Sequence, residues 1–342
     1  MTITARPSRN HDQGKSTPVL EVKNLRVYYD TEAGQVKAVD DVSLELQPDE
    51  RLALVGESGS GKTTLALAIM RLHKPPAHIV GGEILLDGQS ILDLTEEEMR
   101  MVRLAKISLV AQAAMNALNP VMRIGDQMID GLIDHGEKRS KGEFRTLVTE
   151  LLKRVGLDPG VARMFPHELS GGMKQRVLIA TATALSPRVI IADEPTTALD
   201  VVVQRQVMIT LGRLQRETGA AVIIVGHEMG LMGQFADRIG VMYAGKLVEL
   251  GPVEQVVREP RHPYSKLLID SVPDLNEKRE KLTGIPGMPP ALIELPTGCG
   301  FHPRCPAAMP ICSEITPRFQ RMPDGGWVAC HLYDEENAGE KA

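Results

Sequence analysis

The sequence predicts an α/β protein: a parallel-sheet core with an antiparallel β unit ahead of it, a helical insert and a smaller C-terminal unit. Three observations carry that expectation. Apolar runs of strand length alternate with helix-period segments in Arg51–Leu72 and again in Arg188–Glu228, as a parallel sheet requires. The chain has 342 residues, and at roughly 150 residues per domain that length corresponds to about two units. Aromatic residues make up only 3% of the chain against 43% hydrophobic residues, so Ile, Leu, Val, Ala and Met must fill the core.

The first 16 residues are polar, carry Arg6, Arg9 and Lys15, and lack an apolar stretch; they read as a disordered tail, not a secretory signal. LEVKNLRVYY and VKAVDDVSLEL then alternate apolar and polar residues around a turn at Asp30 and Gly34, the pattern of antiparallel strands. RLALVGESGSGKTTLALAIMRL runs from a short strand through a Gly/Ser loop into a helix starting near Lys62. GGEILLDGQSIL is a second hairpin-like passage, and it leads to TEEEMRMVRL, a helix with Thr95 and Glu98 at capping-box spacing. From about Met115 to Leu185 the period is helical, which places a helical subdomain at about 112–185. Strand signals return in RVIIADEP and AAVIIVGHE, separated by the helical QRQVMITLGRLQRETG, and RIGVMYAG and KLVELG close this part. Beyond Gly251, prolines punctuate a segment of little periodicity, so the expected division is 17–250 for the core unit and 251–342 for a C-terminal extension.

Charge and composition narrow the function. Lys+Arg 39 against Asp+Glu 44 leaves a net charge of −5, which supplies no broad positive field for nucleic acid. No run approaches the roughly 18 to 20 apolar residues of a membrane-spanning helix. A cytosolic location is therefore expected. All four cysteines fall between Cys299 and Cys330, too few for a secreted disulfide scaffold yet tightly grouped.

Gly56-Glu57-Ser58-Gly59-Ser60-Gly61-Lys62-Thr63 fits G-x-x-x-x-G-K-[ST], between an apolar strand and a helix as that motif demands. Its glycines let successive N–H groups turn toward phosphate oxygens, and the helix N-terminus adds partial positive charge. Lys62 suits the β- and γ-phosphates, and the Thr63 hydroxyl suits Mg²⁺, with Thr64 beside it. Val189–Glu194 is a strand ending in two carboxylates: Asp193 is placed to hold Mg²⁺ through water, Glu194 to deprotonate an attacking water. Leu169-Ser170-Gly171-Gly172 precedes a helical run and offers a hydroxyl and N–H groups at a second helix N-terminus.

In this order the three elements closely resemble the ATP-binding cassette (ABC) ATPases: Walker A at 56–63, the LSGG signature at 169–172 and Walker B at 189–194, with likeness over about residues 19–250. The resemblance implies a RecA-like P-loop core and ATP with Mg²⁺ as ligands. Residue by residue, Tyr29 matches the aromatic that stacks on adenine, with Tyr28 its neighbouring alternative. Gln112 matches the Q-loop glutamine that contacts Mg²⁺, Asp200 the D-loop aspartate, and His227 the switch histidine at the γ-phosphate. The chain departs from its nearest relatives in Ala111-Gln112-Ala113-Ala114, where Phe-Gln-Asp-Pro is common, and in Gly226-His227-Glu228, where Ser/Thr-His-Asp is common. One Walker A and one signature per chain imply a second ABC ATPase subunit, either a paralogous chain or a copy of this one, because in the family each signature caps the ATP of the other subunit.

Cys299, Cys305, Cys312 and Cys330 are separated by five, six and seventeen residues. Four thiolates suit a tetrahedral Zn²⁺ or an iron–sulfur cluster, and reduced, unliganded thiols are the third reading. Zinc sites usually show close C-x₂₋₄-C pairs, which are missing here. The segment IPGMPPALIELPTGCGFHPRCPAAMPIC with WVACHL resembles the C-terminal extension of oligopeptide and dipeptide importer ATPases, and that resemblance implies a 4Fe-4S cluster at these cysteines, with His302 and His331 packing nearby. It also implies an ATPase that powers peptide import from the cytoplasmic face of the inner membrane, with two permease transmembrane subunits and an extracytoplasmic solute-binding protein. Two other readings stand beside it: a soluble cassette ATPase acting on ribosomes or DNA, and an importer ATPase regulated by a redox-sensing C-terminal module. Ribosomal members usually carry two cassettes and DNA-repair members a long coiled coil, and the chain has neither.

Overall fold

A computed structural model describes residues 17–112, 117–271 and 284–334. The tail expected over 1–16, and Ala113 and Ala114 beside Gln112, lie outside the described residues.

The hairpin of β1 (Leu20–Thr31) and β2 (Gly34–Leu46) buries Leu20, Val22, Leu25 and Val27 from the first strand and Val39, Val42, Leu44 and Leu46 from the second. After β3 (Arg51–Val55) and α1 (Lys62–Ile69) the chain returns as β4 (Ala77–Leu86) beside β1, and β5 (Gln89–Ser90) completes a four-stranded sheet in the order β2-β1-β4-β5. The helix α2 (Glu96–Val102) starts at the expected capping box: Glu98 N donates to Thr95 Oγ1 at 3.3 Å and Thr95 N to Glu98 Oε2 at 2.8 Å.

Next comes β6 (Ile107–Val110), followed, among the described residues of the insert, by α3 (Ile124–Asp134), α4 (Lys141–Arg154) and α5 (Gly171–Ala182). These helices lie between Ile124 and Ala182. The core resumes with β7 (Val189–Asp193), α6 (Val201–Thr218), β8 (Ala221–Val225), α7 (Met229–Phe235), β9 (Arg238–Tyr243) and β10 (Lys246–Pro252). The C-terminal part adds α8 (Val253–Arg258), α9 (Pro263–Asp270) and two short strands, β11 (Gln320–Arg321) and β12 (Trp327–Val328).

The main sheet runs β11-β12-β10-β9-β3-β8-β7-β6. From β9 to β6 neighbouring strands are parallel, and β10, β12 and β11 continue the sheet antiparallel. Both faces of the parallel part are covered, so its strands are apolar without alternation. Leu52, Leu54, Ile191 and Ile223 face a core shared with α1 and the antiparallel sheet. Ala53, Val55, Ile190 and Ile224 face the insert helices and reach Tyr264 and Phe301 of the C-terminal part. The compositional change at residue 251 falls inside β10, whose Glu249 and Leu250 pair with Val328 and Trp327 of β12.

Candidate functional site

β3, β8, β7 and β6 stand side by side in the sheet, and the carboxyl end of each strand or the segment just after it carries residues singled out by the sequence: Lys62 and Thr63, His227, Asp193 and Glu194, and Gln112, in that spatial order. Ligands of open α/β sheets bind at such strand ends, where helix N-termini and loop N–H groups converge.

The loop after β3 turns tightly because two of its glycines sit where no side chain fits. A Cβ on Gly56, at φ 150°, would lie 2.2 Å from the Met242 carbonyl oxygen, and one on Gly61, at φ 102°, 2.0 Å from that of Ala38. Gly61 opens α1 without a side-chain cap, leaving the helix N–H groups for an anion. Lys62 is buried, and its Nζ donates to the carbonyls of Gly56 at 2.9 Å and Glu57 at 2.8 Å and to Ser60 Oγ at 3.0 Å. Burial lowers its pKa, opposed by the nearby carboxylates of Glu194, Asp193 and Glu57. Such a cation gains most from an anion brought beside it.

Thr63 Oγ1 donates to Asp193 Oδ1 at 3.1 Å, so the two expected magnesium residues already touch. Asp193 is buried, and desolvation raises its pKa against the Thr63 bond. A hydroxyl beside a buried carboxylate is the hard oxygen donor set that fits Mg²⁺. Glu194 follows at φ 43°, in the left-handed region, and its N donates to Val225 O at 2.9 Å. Its Oε2 accepts from Gln112 Nε2 and from Thr197 Oγ1, both at 2.8 Å, while His227 Nδ1 lies 3.8 Å from Oε1. A carboxylate held by neutral donors on one oxygen keeps the other for a water proton.

These loops border a cavity of about 450 Å³ lined by Ser58, Gly59, Gly61, Lys62, Thr63, Thr64, Gln112 and Glu194 at one end and by Tyr29, Thr31, Val36, Ala38 and Leu292 at the other. Tyr29 is in the wall, with its hydroxyl 3.1 Å from Thr64 Oγ1, whereas Tyr28 donates to Asp40 Oδ1 at 2.8 Å. Leu292 was not foreseen: it comes from the proline-rich segment, and its carbonyl accepts from Lys37 N at 3.2 Å. Glu57 was also passed over. Its N donates to Tyr264 Oη at 2.8 Å and its carboxylate meets Arg304, so the C-terminal part reaches the phosphate end of the cavity as well.

Ser170, Gly171, Gly172 and Asp200 do not line this cavity. Ser170 caps α5, its Oγ accepting from Met173 N at 3.3 Å. Asp200 caps α6, its Oδ1 accepting from Val202 N at 3.1 Å and Val203 N at 3.0 Å. A Cβ on Gly172 would lie 2.4 Å from Val203 Cγ1, so that glycine sets the approach of α5 to α6.

The four cysteines are free and lie near enough that Cys299, Cys305 and Cys312 each raise the pKa of Cys330, which burial above all pushes up to about 12. Burial likewise raises Cys299 and Cys305, while backbone N–H groups of Phe301 and His302 favour the Cys299 thiolate. Thiols with N–H donors suit a soft metal or a cluster in kind. Among the described residues, however, no group of three or more His, Cys, Asp or Glu is gathered closely enough to hold a metal ion, so the expected 4Fe-4S cluster draws no support from the arrangement. The two histidines pack as expected: His302 Nδ1 lies 3.0 Å from Cys299 O, and the buried His331 contacts Asp334 at 2.7 Å and Ile315 O at 2.8 Å.

Comparison with known proteins agrees with this geometry. Residues 39–197 match the ABC transporter family and residues 248–312 the oligopeptide/dipeptide transporter C-terminal region. The chain is 43% identical to a dipeptide transport ATP-binding protein of Bacillus subtilis, over 93% of this chain and 95% of that protein. It is 45% identical to a putative peptide import ATP-binding protein of Brucella ovis, over 93% and 98%. A dimeric bacterial ABC transporter cassette superposes with a TM-score of 0.63 at 31% identity, over 68% of this chain and 98% of that one. The protein cbiO1 from Clostridium perfringens, part of the ABC transporter complex cbiONQ, gives 0.60 at 27%, over 71% and 92%.

Proposed function

Because this chain belongs to the ABC transporter ATPases of the oligopeptide/dipeptide importer family, we propose that it binds Mg–ATP in the cavity above β3 and hydrolyses it to drive peptide import. The observation that carries this reading is the meeting of Lys62, Thr63, Gln112, Asp193 and Glu194 at the ends of neighbouring strands. Tyr29 takes the adenine, the loop Gly56–Thr64 and Lys62 take the phosphates, and Thr63, Asp193 and Gln112 hold Mg²⁺, which offsets charge on the β- and γ-phosphates. Glu194 removes a proton from the attacking water, and His227 senses the γ-phosphate.

Ser170–Gly172 and Asp200 stand outside the cavity, which supports their use across an interface on the ATP of a second subunit. ATP then bridges two subunits and its hydrolysis removes the bridge. Among the described residues no helix is long and apolar enough to cross a membrane, so in this reading two permease subunits span it, a solute-binding protein delivers the peptide, and this chain sits at the cytoplasmic face. Reconstitution with the permease chains in vesicles tests it: ATP-dependent uptake of labelled dipeptides is expected, and uptake confined to nickel complexes or oligosaccharides would overturn the peptide assignment.

For the cysteines we propose a structural 4Fe-4S cluster that tethers the proline-rich segment; its support is not the arrangement of the thiols but the place of Cys299, Cys305 and Cys312 in the stretch that matches the oligopeptide/dipeptide transporter C-terminal region. Anaerobic purification followed by iron, sulfide and zinc analysis checks it, and stoichiometric zinc without iron contradicts it.

A further inference from the structure

We infer that Arg304, in the C-terminal extension, is a positioning residue of the nucleotide site that keeps Glu57 from competing with phosphate for Lys62; the inference rests on the assignment of Lys62 to the phosphates. Glu57 is an acid inside an anion-binding loop. It lies close enough to Lys62 to favour the charged ammonium. Unrestrained, its carboxylate would pair with that ammonium and repel an incoming triphosphate.

Both carboxylate oxygens are occupied instead. Oε2 accepts from Arg304 Nη1 at 2.7 Å and Oε1 from Nη2 at 3.0 Å, the two-pronged geometry that lysine cannot reproduce. Arg304 is itself fixed: it is buried, Nε donates to Pro286 O at 2.7 Å, and Nη1 also donates to Tyr243 Oη at 3.2 Å. Its guanidinium lies 5.8 Å from the ring centre of Tyr243 and 6.0 Å from that of Phe301. Tyr264 Oη accepts from Glu57 N at 2.8 Å, holding the backbone of the same residue. A countercharge so confined cannot follow a phosphate into the site. It neutralises Glu57 and leaves Lys62 to the ligand.

Simple anchoring of the extension would produce the same contacts, but it is not relieved by removing the charge of Glu57. Binding of Mg²⁺ with a non-hydrolysable ATP analogue to the full chain separates the two. Arg304→Met is expected to raise Kd by about tenfold or more, Arg304→Lys to give an intermediate value, and Glu57→Gln with Arg304→Met to return Kd to within about threefold of wild type. The penalty in Arg304→Met should shrink as salt rises from about 0.05 to about 0.5 M, because its source is unpaired charge. The double variant leaves no unpaired carboxylate, so it reports even if the single variant folds poorly. A double variant still about tenfold weaker, or an unaffected Arg304→Met beside a weakened Lys62→Ala, overturns the inference alone. Normal binding by Lys62→Ala overturns the site assignment and the inference with it.

Discussion

At the scale of single residues, the hydrogen bonds of Glu194 bear on the part proposed for it in hydrolysis. Gln112 and Thr197 both donate to Oε2, so Oε1 is the oxygen that the proposed mechanism uses as base. Glu194→Gln keeps the shape and removes the basicity, so hydrolysis should fall by about 10²- to 10⁴-fold while ATP still binds; steady-state turnover and nucleotide binding measured on the same preparation check this. His262 makes a second prediction. It is buried, its Nδ1 accepts from Tyr264 N at 3.1 Å, and burial lowers its pKa from 6.5 to about 3. The unfolded chain therefore binds a proton that the folded one refuses. Stability from this residue is fully present above pH 6.5 and is lost as pH falls from there toward 3, at up to about 1.4 kcal/mol per pH unit. Urea unfolding at pH 7.5 and 5.5 should show a smaller difference in His262→Gln than in wild type. The motif residues were legible because each sits in a short string whose chemistry is local. Arg304, Tyr264 and Leu292 were not, because the first two bond Glu57 from more than 200 residues beyond it and the third walls the cavity from the proline-rich segment. A signal did exist in composition: with five Tyr, five Phe and one Trp in the chain, the packing of Tyr243, Tyr264 and Phe301 within 4.6 to 5.3 Å of one another marks an unusual junction.

At the scale of elements, the long strands and the capped helices were readable and the short connectors were not. β7 is four apolar residues ending in Asp193 and β8 an apolar pentamer, both bounded by clear breaks, and α2 announces itself by Thr95 and Glu98. β6 has four residues, too few for any period to show, and exists because β7 offers it a parallel edge. α9 is likewise set from outside. Glu249, fully buried in β10, accepts from Arg261 N at 3.0 Å and His262 N at 2.9 Å, just ahead of Pro263. Glu249→Ala strands those donors in an apolar setting and should cost about 3 kcal/mol. Hydrogen exchange should locate the loss at 253–271, and uniform protection there would contradict this account.

At the scale of the whole molecule, the C-terminal part is joined to the core sheet and not appended to it. β12 continues the sheet from β10, Phe301 packs on Tyr243 of β9, and Leu292 walls the cavity. Composition changes at residue 251 because this part is irregular and proline-rich, yet sequence cannot reveal that its partners lie in a sheet already built. Truncation after Pro252 should therefore expose the β10 edge and the aromatic junction and yield aggregated protein. A soluble, ATP-binding product of that truncation, judged by gel filtration and nucleotide titration, would contradict the prediction.

The 247-residue separation of Glu57 from Arg304 also sets a schedule. At roughly 5 to 20 residues per second, the ribosome makes the arginine about 12 to 50 s after the glutamate. During that interval the nascent chain carries a complete phosphate-loop sequence whose acid has no partner. By the inference drawn from Arg304, a chain that has not yet reached that residue binds ATP about tenfold more weakly than the finished one.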